Sequence, residues 1–387
     1  MIRKPEEQGQ SIWLDQMSEV LAHGDELANL IQNDEVCGIM SSPVMLAKSF
    51  VANGEGKQDI NDLLRGASSA AREKTAVAAV RAIAGILNPA YIGTQRREGY
   101  VSLAIDPALA DDIEATLAEA RRLWNEIGRE NLLIALPATA TGIQAISPLI
   151  ADGININATM LFTPERYEQA ALAYLDGLEK LAAKDRGDRR DNGNKEGRSA
   201  RGDGSIASVA GVASVVLAPI DTAVDALISS HLNQCGFIKT YSMLERETLR
   251  GLMGKAAIAS AKVAYGRFQT IFSGPRWDAL AAMGARKQRL LWESITIENP
   301  AYRETKYMQE LIGADTIAAI PPDMLAVYKE LRQNGGENLQ ENIAEAALVL
   351  GTLKKLHIPL AGIADKLQSS RLRQLGDAYA QYLTLLP

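Results

Sequence analysis

The chain has 387 residues, 47% of them hydrophobic and 23% charged, with 41 Lys and Arg against 47 Asp and Glu for a formal charge of −6. This is the composition of a globular protein with a large core, long enough for one large domain or two ordinary ones. The mild acid excess excludes duplex nucleic-acid binding through a basic surface and argues equally against docking on an anionic membrane.

From the N-terminus, Met1–Gln10 is polar and charged, without the apolar core of a signal peptide. No run is read as approaching the ~20 apolar residues that cross a bilayer. Apolar runs then recur at Val101–Ile105, Leu132–Leu136, Ala158–Phe162, Val212–Leu217 and Thr316–Ile320. Continuous rather than alternating apolarity suits strands buried on both faces of a parallel sheet. Between the first two runs lies the clearest helix. Pro107 fits its first turn, Asp111, Asp112 and Glu114 favour its N-terminus, and Leu109, Ile113 and Leu117 form its apolar stripe before Arg121 and Arg122. Strand, helix and strand at this spacing make βαβ units, and their number points to a (β/α)8 barrel or a doubly wound sheet. No Gly-x-Gly-x-x-Gly follows an early strand, which weakens a dinucleotide-binding version.

Lys184–Gly204 breaks the pattern. It has no Leu, Ile, Val or aromatic residue and reads as a flexible, solvated insertion, its Arg201–Gly202–Asp203 included. From about Pro322 to Pro387 the chain reads as helices, with Ala344–Leu356 and Gly362–Tyr382 at helical spacing, expected on the outer wall or rim of the fold. Cys37 and Cys235 form neither a CxxC pair nor a disulfide framework, so a reducing cytoplasm is the expected setting. His23, His231 and His357 lie far apart, which speaks against a His-rich metal site or a Ser-His-Asp triad.

Several blocks carry more. GQSIWLD (Gly9–Asp15), GIMSSP (Gly38–Pro43), GYVSLAIDP (Gly99–Pro107) and NLLIALPAT (Asn131–Thr139) are followed by GININATMLFTPERY (Gly153–Tyr167) and VASVVLAPIDTAVD (Val212–Asp225). Phe272–Ser294, ENPAY (Glu298–Tyr302) and Tyr307–Pro322 continue the series. In order and context these blocks resemble a transaldolase of the longer bacterial form, over roughly residues 8–380. The resemblance implies one (β/α)8 TIM-barrel domain over residues 1–387 with additional C-terminal helices. It also implies transfer of a dihydroxyacetone unit between sugar phosphates in the pentose phosphate pathway, with neither metal nor organic cofactor. That chemistry needs a deprotonated lysine for a Schiff base, groups that move protons, and cations for the substrate phosphate, at the C-terminal ends of the strands.

Carried over residue by residue, the resemblance meets replacements. A pattern like IKIPAT holds the family's Schiff-base lysine, and this chain has Ile134–Ala135–Leu136–Pro137–Ala138–Thr139, so that position is Ala135. The family's catalytic glutamate falls on Ala104, the asparagine of its SNP motif on Ser42, a phosphate-binding arginine on Pro219, and a second basic position on Glu298. Four family positions are kept. Asp15 matches the proton-transfer carboxylate, Thr159 the threonine that holds the catalytic water, and Ser214 and Ser294 hydroxyls near the site. Each also has a structural reading, as a helix cap or a bond to backbone. No substitute lysine is found on the predicted strands. Lys48 falls in the helix after strand two and Lys287 at the start of strand seven, the wrong end of a barrel. Asp106, two residues beyond Ala104, is expected on the same strand face, where it would partly replace the missing carboxylate.

Loss of the nucleophile in a covalent mechanism costs on the order of 10⁶ in rate. Each lost charge-assisted phosphate contact costs about 1.5–3 kcal/mol more. The expectation is therefore a catalytically inactive pseudoenzyme, acting as an interaction, scaffold or regulatory subunit through a protein partner or a second copy of the chain. An alternative is a smaller acidic pocket formed by Ser42, Asp106, Thr159, Ser214, Glu293 and Glu298 that takes a less anionic polyol or sugar. Ordinary transaldolase activity is the third. None involves nucleic acid, membrane, metal or cofactor.

Overall fold

The computed structural model describes residues 9–15, 27, 29–31, 36–41, 69–191, 205–233, 241–297, 299–334 and 338–384. Eight short strands close into a barrel in chain order, β1 (Ser11–Leu14), β2 (Gly38–Ser41), β3 (Tyr100–Ala104), β4 (Leu132–Pro137), β5 (Ile156–Leu161), β6 (Gly211–Val216), β7 (Arg289–Glu293) and β8 (Thr316–Ile320). Every neighbouring pair is parallel, and β1 closes on β8 through Ser11↔Ile317 to Leu14↔Ile320. This is the (β/α)8 barrel that the apolar runs and the motif order led one to expect. The apolar runs correspond to β3, β4, β5, β6 and β8. The others, SIWL, GIMS and RLLWE, are too short and too mixed to stand out by apolarity alone.

Period two divides each strand between two environments. Ile12 and Leu14 face the helical layer, whereas Trp13 packs inside the barrel with Tyr100, Leu133, Val212, Leu291 and Ile317. Gly38 makes room for that indole, since a Cβ there would come within 2.5 Å of the Trp13 ring. The N-terminal end of the interior is polar. Arg289 lies 3.0 Å from Glu98 and donates to the Thr316 carbonyl at 2.8 Å, and the Ser11 hydroxyl joins both side chains.

The helical layer amends some sequence expectations. The helix foreseen from Pro107 is two elements, a 3-10 turn Pro107–Leu109 capped by Asp106 and a helix Ile113–Ile127 capped by Asp112. Two caps six positions apart interrupt the helical path, and the Thr116 hydroxyl donates to Leu109 O at 2.8 Å to tie the pieces together. The charged segment begins helical, because Pro164–Asp191 is one helix; residues 192–204, with the Arg-Gly-Asp, lie outside the described residues. Within the helix Ser69–Gly93, the stretch Ala76–Gly93 has a mean hydropathy of 1.4 over 18 residues, long and apolar enough to cross a membrane, so one run does reach that limit. Its apolarity has a local cause, since Val80, Ala84 and Leu87 are fully buried on the face packed against β3.

After β8 come the helices Leu325–Asn334, Ile343–Lys355 and Leu360–Thr384. The last is more than a wall helix. It lies over the C-terminal mouth of the barrel, where Gln368 Nε2 donates to the carbonyls of Ala138 at 3.0 Å and Met160 at 3.3 Å.

Candidate functional site

The C-terminal ends of the strands and the last helix enclose a cavity of about 370 Å³. Its floor and walls include Asp15 just past β1, Met40 and Ser41 from β2, Ser102 and Ala104 from β3, Ala135 and Pro137 from β4, Thr159 and Met160 from β5, and Glu293 from β7. Leu367, Arg371 and Leu375, four residues apart and so on one helical face, form the roof with Ser370 and Gln374. Thr159 and Met160 reach the cavity together because β5 shifts register against β6 between Ala158 and Leu161, with Met160 at φ 58°. Thr159 Oγ1 donates to the Leu136 carbonyl at 3.2 Å. Ser294 also lines the cavity, at φ 56° just past β7.

Of the expected site positions, Asp15, Ala104, Ala135, Thr159, Pro219, Glu293 and Ser294 come together here. Ser42, Glu298 and Lys48 lie outside the described residues. Ser214 sits beneath the cavity, fully buried, and its hydroxyl donates to Asn157 Oδ1 at 2.8 Å. Asp106 does not share the face of Ala104. β3 ends at Ala104, so period two no longer applies, and the Asp106 carboxylate turns back to accept from Ala108 N at 2.9 Å as a cap. The Ala138–Thr139 end of the IALPAT block serves the fold, since Thr139 Oγ1 accepts from Gly142 N at the start of the next helix and donates to Ala110 O, both at 3.0 Å.

Two residues were not legible beforehand. Asn157 stands beside Ala135 in the β4–β5 register and links two strands under the cavity, donating to Ser102 Oγ at 3.0 Å and accepting from Ser214. Its place two residues before Thr159, on the same strand face, was the available signal. Arg371 had none, because its helix is remote from every strand motif. It is the one cation among the described residues lining the cavity, and no lysine is among them.

The cavity's charge is carried by two carboxylates and this guanidinium. Burial pushes Asp15 up to about 6, opposed by the positive charge of Arg371. Glu293 is pushed up to about 7, first by burial and then by the negative charge of Asp15, again with Arg371 opposing. Carboxyls raised in this way can carry a proton near neutrality and hydrogen-bond hydroxyl groups as donor or acceptor. They offer no amine for addition to a carbonyl. The Cys37 thiol is no substitute, since burial holds it up at about 12 and it does not line the cavity.

Asp221 and Asp225, in the helix Ala218–Asn233 that follows β6, show why the block around Pro219 survives. Asp221 accepts from Ala257 N at 2.8 Å, from Lys306 Nζ at 3.1 Å and from the Tyr307 hydroxyl at 2.9 Å. Asp225 accepts from Gly254 N at 2.8 Å and the Tyr302 hydroxyl at 2.6 Å. They anchor the segments between β6 and β8, a task independent of what occupies the cavity.

Comparison with known proteins agrees with this architecture. A family model described as Transaldolase/Fructose-6-phosphate aldolase matches residues 12–386. Among relatives, "Transaldolase 2" of Nostoc sp. (strain PCC 7120) is 35% identical over 365 residues, covering 93% of this chain and 90% of that protein. "Transaldolase" of Thiobacillus denitrificans is 34% identical over 377 residues, 97% of this chain and 96% of that one. "Transaldolase" of Neisseria meningitidis serogroup C is 33% identical over 380 residues, 98% and 97% of the two chains. With a closed parallel barrel, a cavity at the expected mouth and a match along nearly the whole sequence, the chain belongs to the transaldolase/fructose-6-phosphate aldolase family.

Proposed function

We propose that this member of the family is catalytically inactive and acts as an interaction, scaffold or regulatory subunit in the cytoplasm, through a protein partner or a second copy of itself. The observation that carries this is the wall of the cavity. Ala135 and Ala104 stand where the resemblance puts the Schiff-base lysine and the catalytic glutamate, and no lysine is among the described lining residues. Without a primary amine the ketose carbonyl cannot become an iminium ion, and the carbanion left by C–C cleavage has no electron sink. Asp15 and Glu293 can move protons, but proton transfer alone does not cleave this bond.

A second reading draws on the same cavity. Two carboxylates and one guanidinium suit a small polyol or sugar with little negative charge, bound through its hydroxyls. The two readings are compatible if such a ligand governs the interaction.

The test is the intact mass of the protein after incubation with fructose 6-phosphate and borohydride, beside an active transaldolase. No adduct is expected here and full labelling in the control. A stable adduct on a lysine would overturn the proposal and restore the transferase activity that the relatives' names state. A stoichiometric partner on purification supports the subunit role, and saturable binding of a neutral polyol supports the second reading.

A further inference from the structure

The opposite, N-terminal mouth of the barrel holds a cavity of its own, about 370 Å³, enclosed between β1, β3, β6 and β7 and the segment before β3. Five cations line it, Arg96, Arg97, Arg286, Lys287 and Arg289, against the single carboxylate of Asp315. Asp315 meets Arg97 at 3.0 Å and Lys287 at 3.8 Å, so one negative charge is shared by two positive ones. Arg289 is matched by Glu98 from within the barrel, which also lies 3.9 Å from Arg97, and Arg96 by Glu130 at 3.5 Å. Arg286 reaches the carbonyls of Gln95 and Arg96, which remove none of its charge.

Three donors of the lining residues are buried without a hydrogen-bond acceptor. The indole N–H of Trp13, whose side chain is fully buried, Nε of Arg97 and Nε of Arg289, 8% exposed, have no hydrogen-bond partner, and neither has the buried acceptor Glu98 Oε2. Buried donors are nearly always satisfied, and each left unmatched opposes folding. The lining is also built from unusual backbone. Gln95, Arg96 and Asp315 take positive φ of 53°, 68° and 58°, a region that residues with a Cβ rarely enter. Excess positive charge and strained backbone thus meet at one half-open cavity.

We propose that this N-terminal mouth is a binding site for a phosphate-class oxyanion, free or as the end group of a small phosphorylated compound. Arg97, Arg286 and Lys287 supply the charge. Tetrahedral oxyanions suit the set because their oxygens accept from several directions at once, and arginine matches them in pairs. The volume leaves room for a short organic chain beside the anion. The site is separate from the C-terminal cavity and does not rest on whether the latter is active.

The experiment is calorimetric titration of the full chain with orthophosphate and with glycerol phosphate, at ionic strength held constant with chloride. Expected is saturable 1:1 binding, weakened at least fivefold by Arg286→Gln and by Lys287→Gln. Lys287→Gln guards against a folding artefact, since that side chain makes only the 3.8 Å approach to Asp315 and a contact over the Phe268 ring. Glycerol phosphate binding tenfold tighter than orthophosphate identifies a phosphorylated compound as the natural ligand; equal binding identifies the free ion. No saturable heat above chloride overturns the proposal. So does binding lost in Arg371→Gln but kept in Lys287→Gln, which would move it to the other mouth.

Discussion

Asp15 and Glu293, at the C-terminal ends of β1 and β7, are both driven toward the protonated form by burial in one cavity, Glu293 also by the charge of Asp15, and Arg371 on the last helix opposes both shifts. Both carboxyls bind a proton more tightly folded than unfolded, where ordinary values of 3.8 and 4.5 apply. Their contribution to stability is therefore fully present below the unfolded values and is lost as pH rises through about 6 and about 7. Glu293→Gln or Asp15→Asn is expected to raise stability at pH 8 by about 1–3 kcal/mol and to change it little at pH 4. Urea denaturation at the two pH values checks this; a variant less stable than wild type at pH 8 would refute it.

The Glu98–Arg289 pair, 3.0 Å apart and buried, closes the other end of the barrel. Glu98→Ala leaves the guanidinium uncompensated and is expected to cost about 3–5 kcal/mol. Glu98→Gln, which can still accept from Arg289, should cost less. Equilibrium unfolding of both variants decides, and a mild effect of Glu98→Ala would count against the assignment.

Gln368 pins the C-terminal helix to the carbonyls of Ala138 and Met160. Gln368→Ala is expected to cost about 1–2 kcal/mol, at roughly 0.5–1.5 kcal/mol per hydrogen bond. Much of that loss is local. Amide exchange should quicken in the helix Leu360–Thr384 while β4 and β5 keep their protection. Unchanged exchange in that helix would mean that packing by Leu367 and Leu375 alone holds it.

Ala135→Lys would put an amine into the cavity beside Asp15 and Glu293. Nearby carboxylates favour the ammonium form, so the introduced amine should be a poor nucleophile at pH 7. Borohydride trapping with fructose 6-phosphate is expected to be slow at pH 7 and at least tenfold faster at pH 9. Rapid labelling at pH 7 would show that the carboxylates do not control the amine.

Much of the barrel was legible along the chain because its cause is local. Val101–Ile105, Leu132–Leu136 and Thr316–Ile320 are apolar without alternation because both faces of those strands are buried, and that pattern survives in a linear reading. β1 and β7 leave a weaker trace because their inward faces carry Ser11, Arg289 and Glu293, polar residues that the fold brings together with distant segments. Asp106 was assigned to the wrong surface for a related reason. Strand periodicity says nothing about where a strand stops, and the turn at Pro107 stopped it two residues earlier.

By itself, then, the order of residues determined the barrel and the family, since each is carried by residue types at fixed spacing. Tertiary structure alone decided that Arg371, more than 350 residues from Asp15, roofs the same cavity, and that Asn157 ties Ser102 to Ser214 beneath it. It also decided that Trp13, Arg97, Arg286 and Arg289 gather at the opposite mouth. Closing eight strands into a ring brings together residues that no local periodicity relates, and the charge of each pocket is the sum of those long-range encounters.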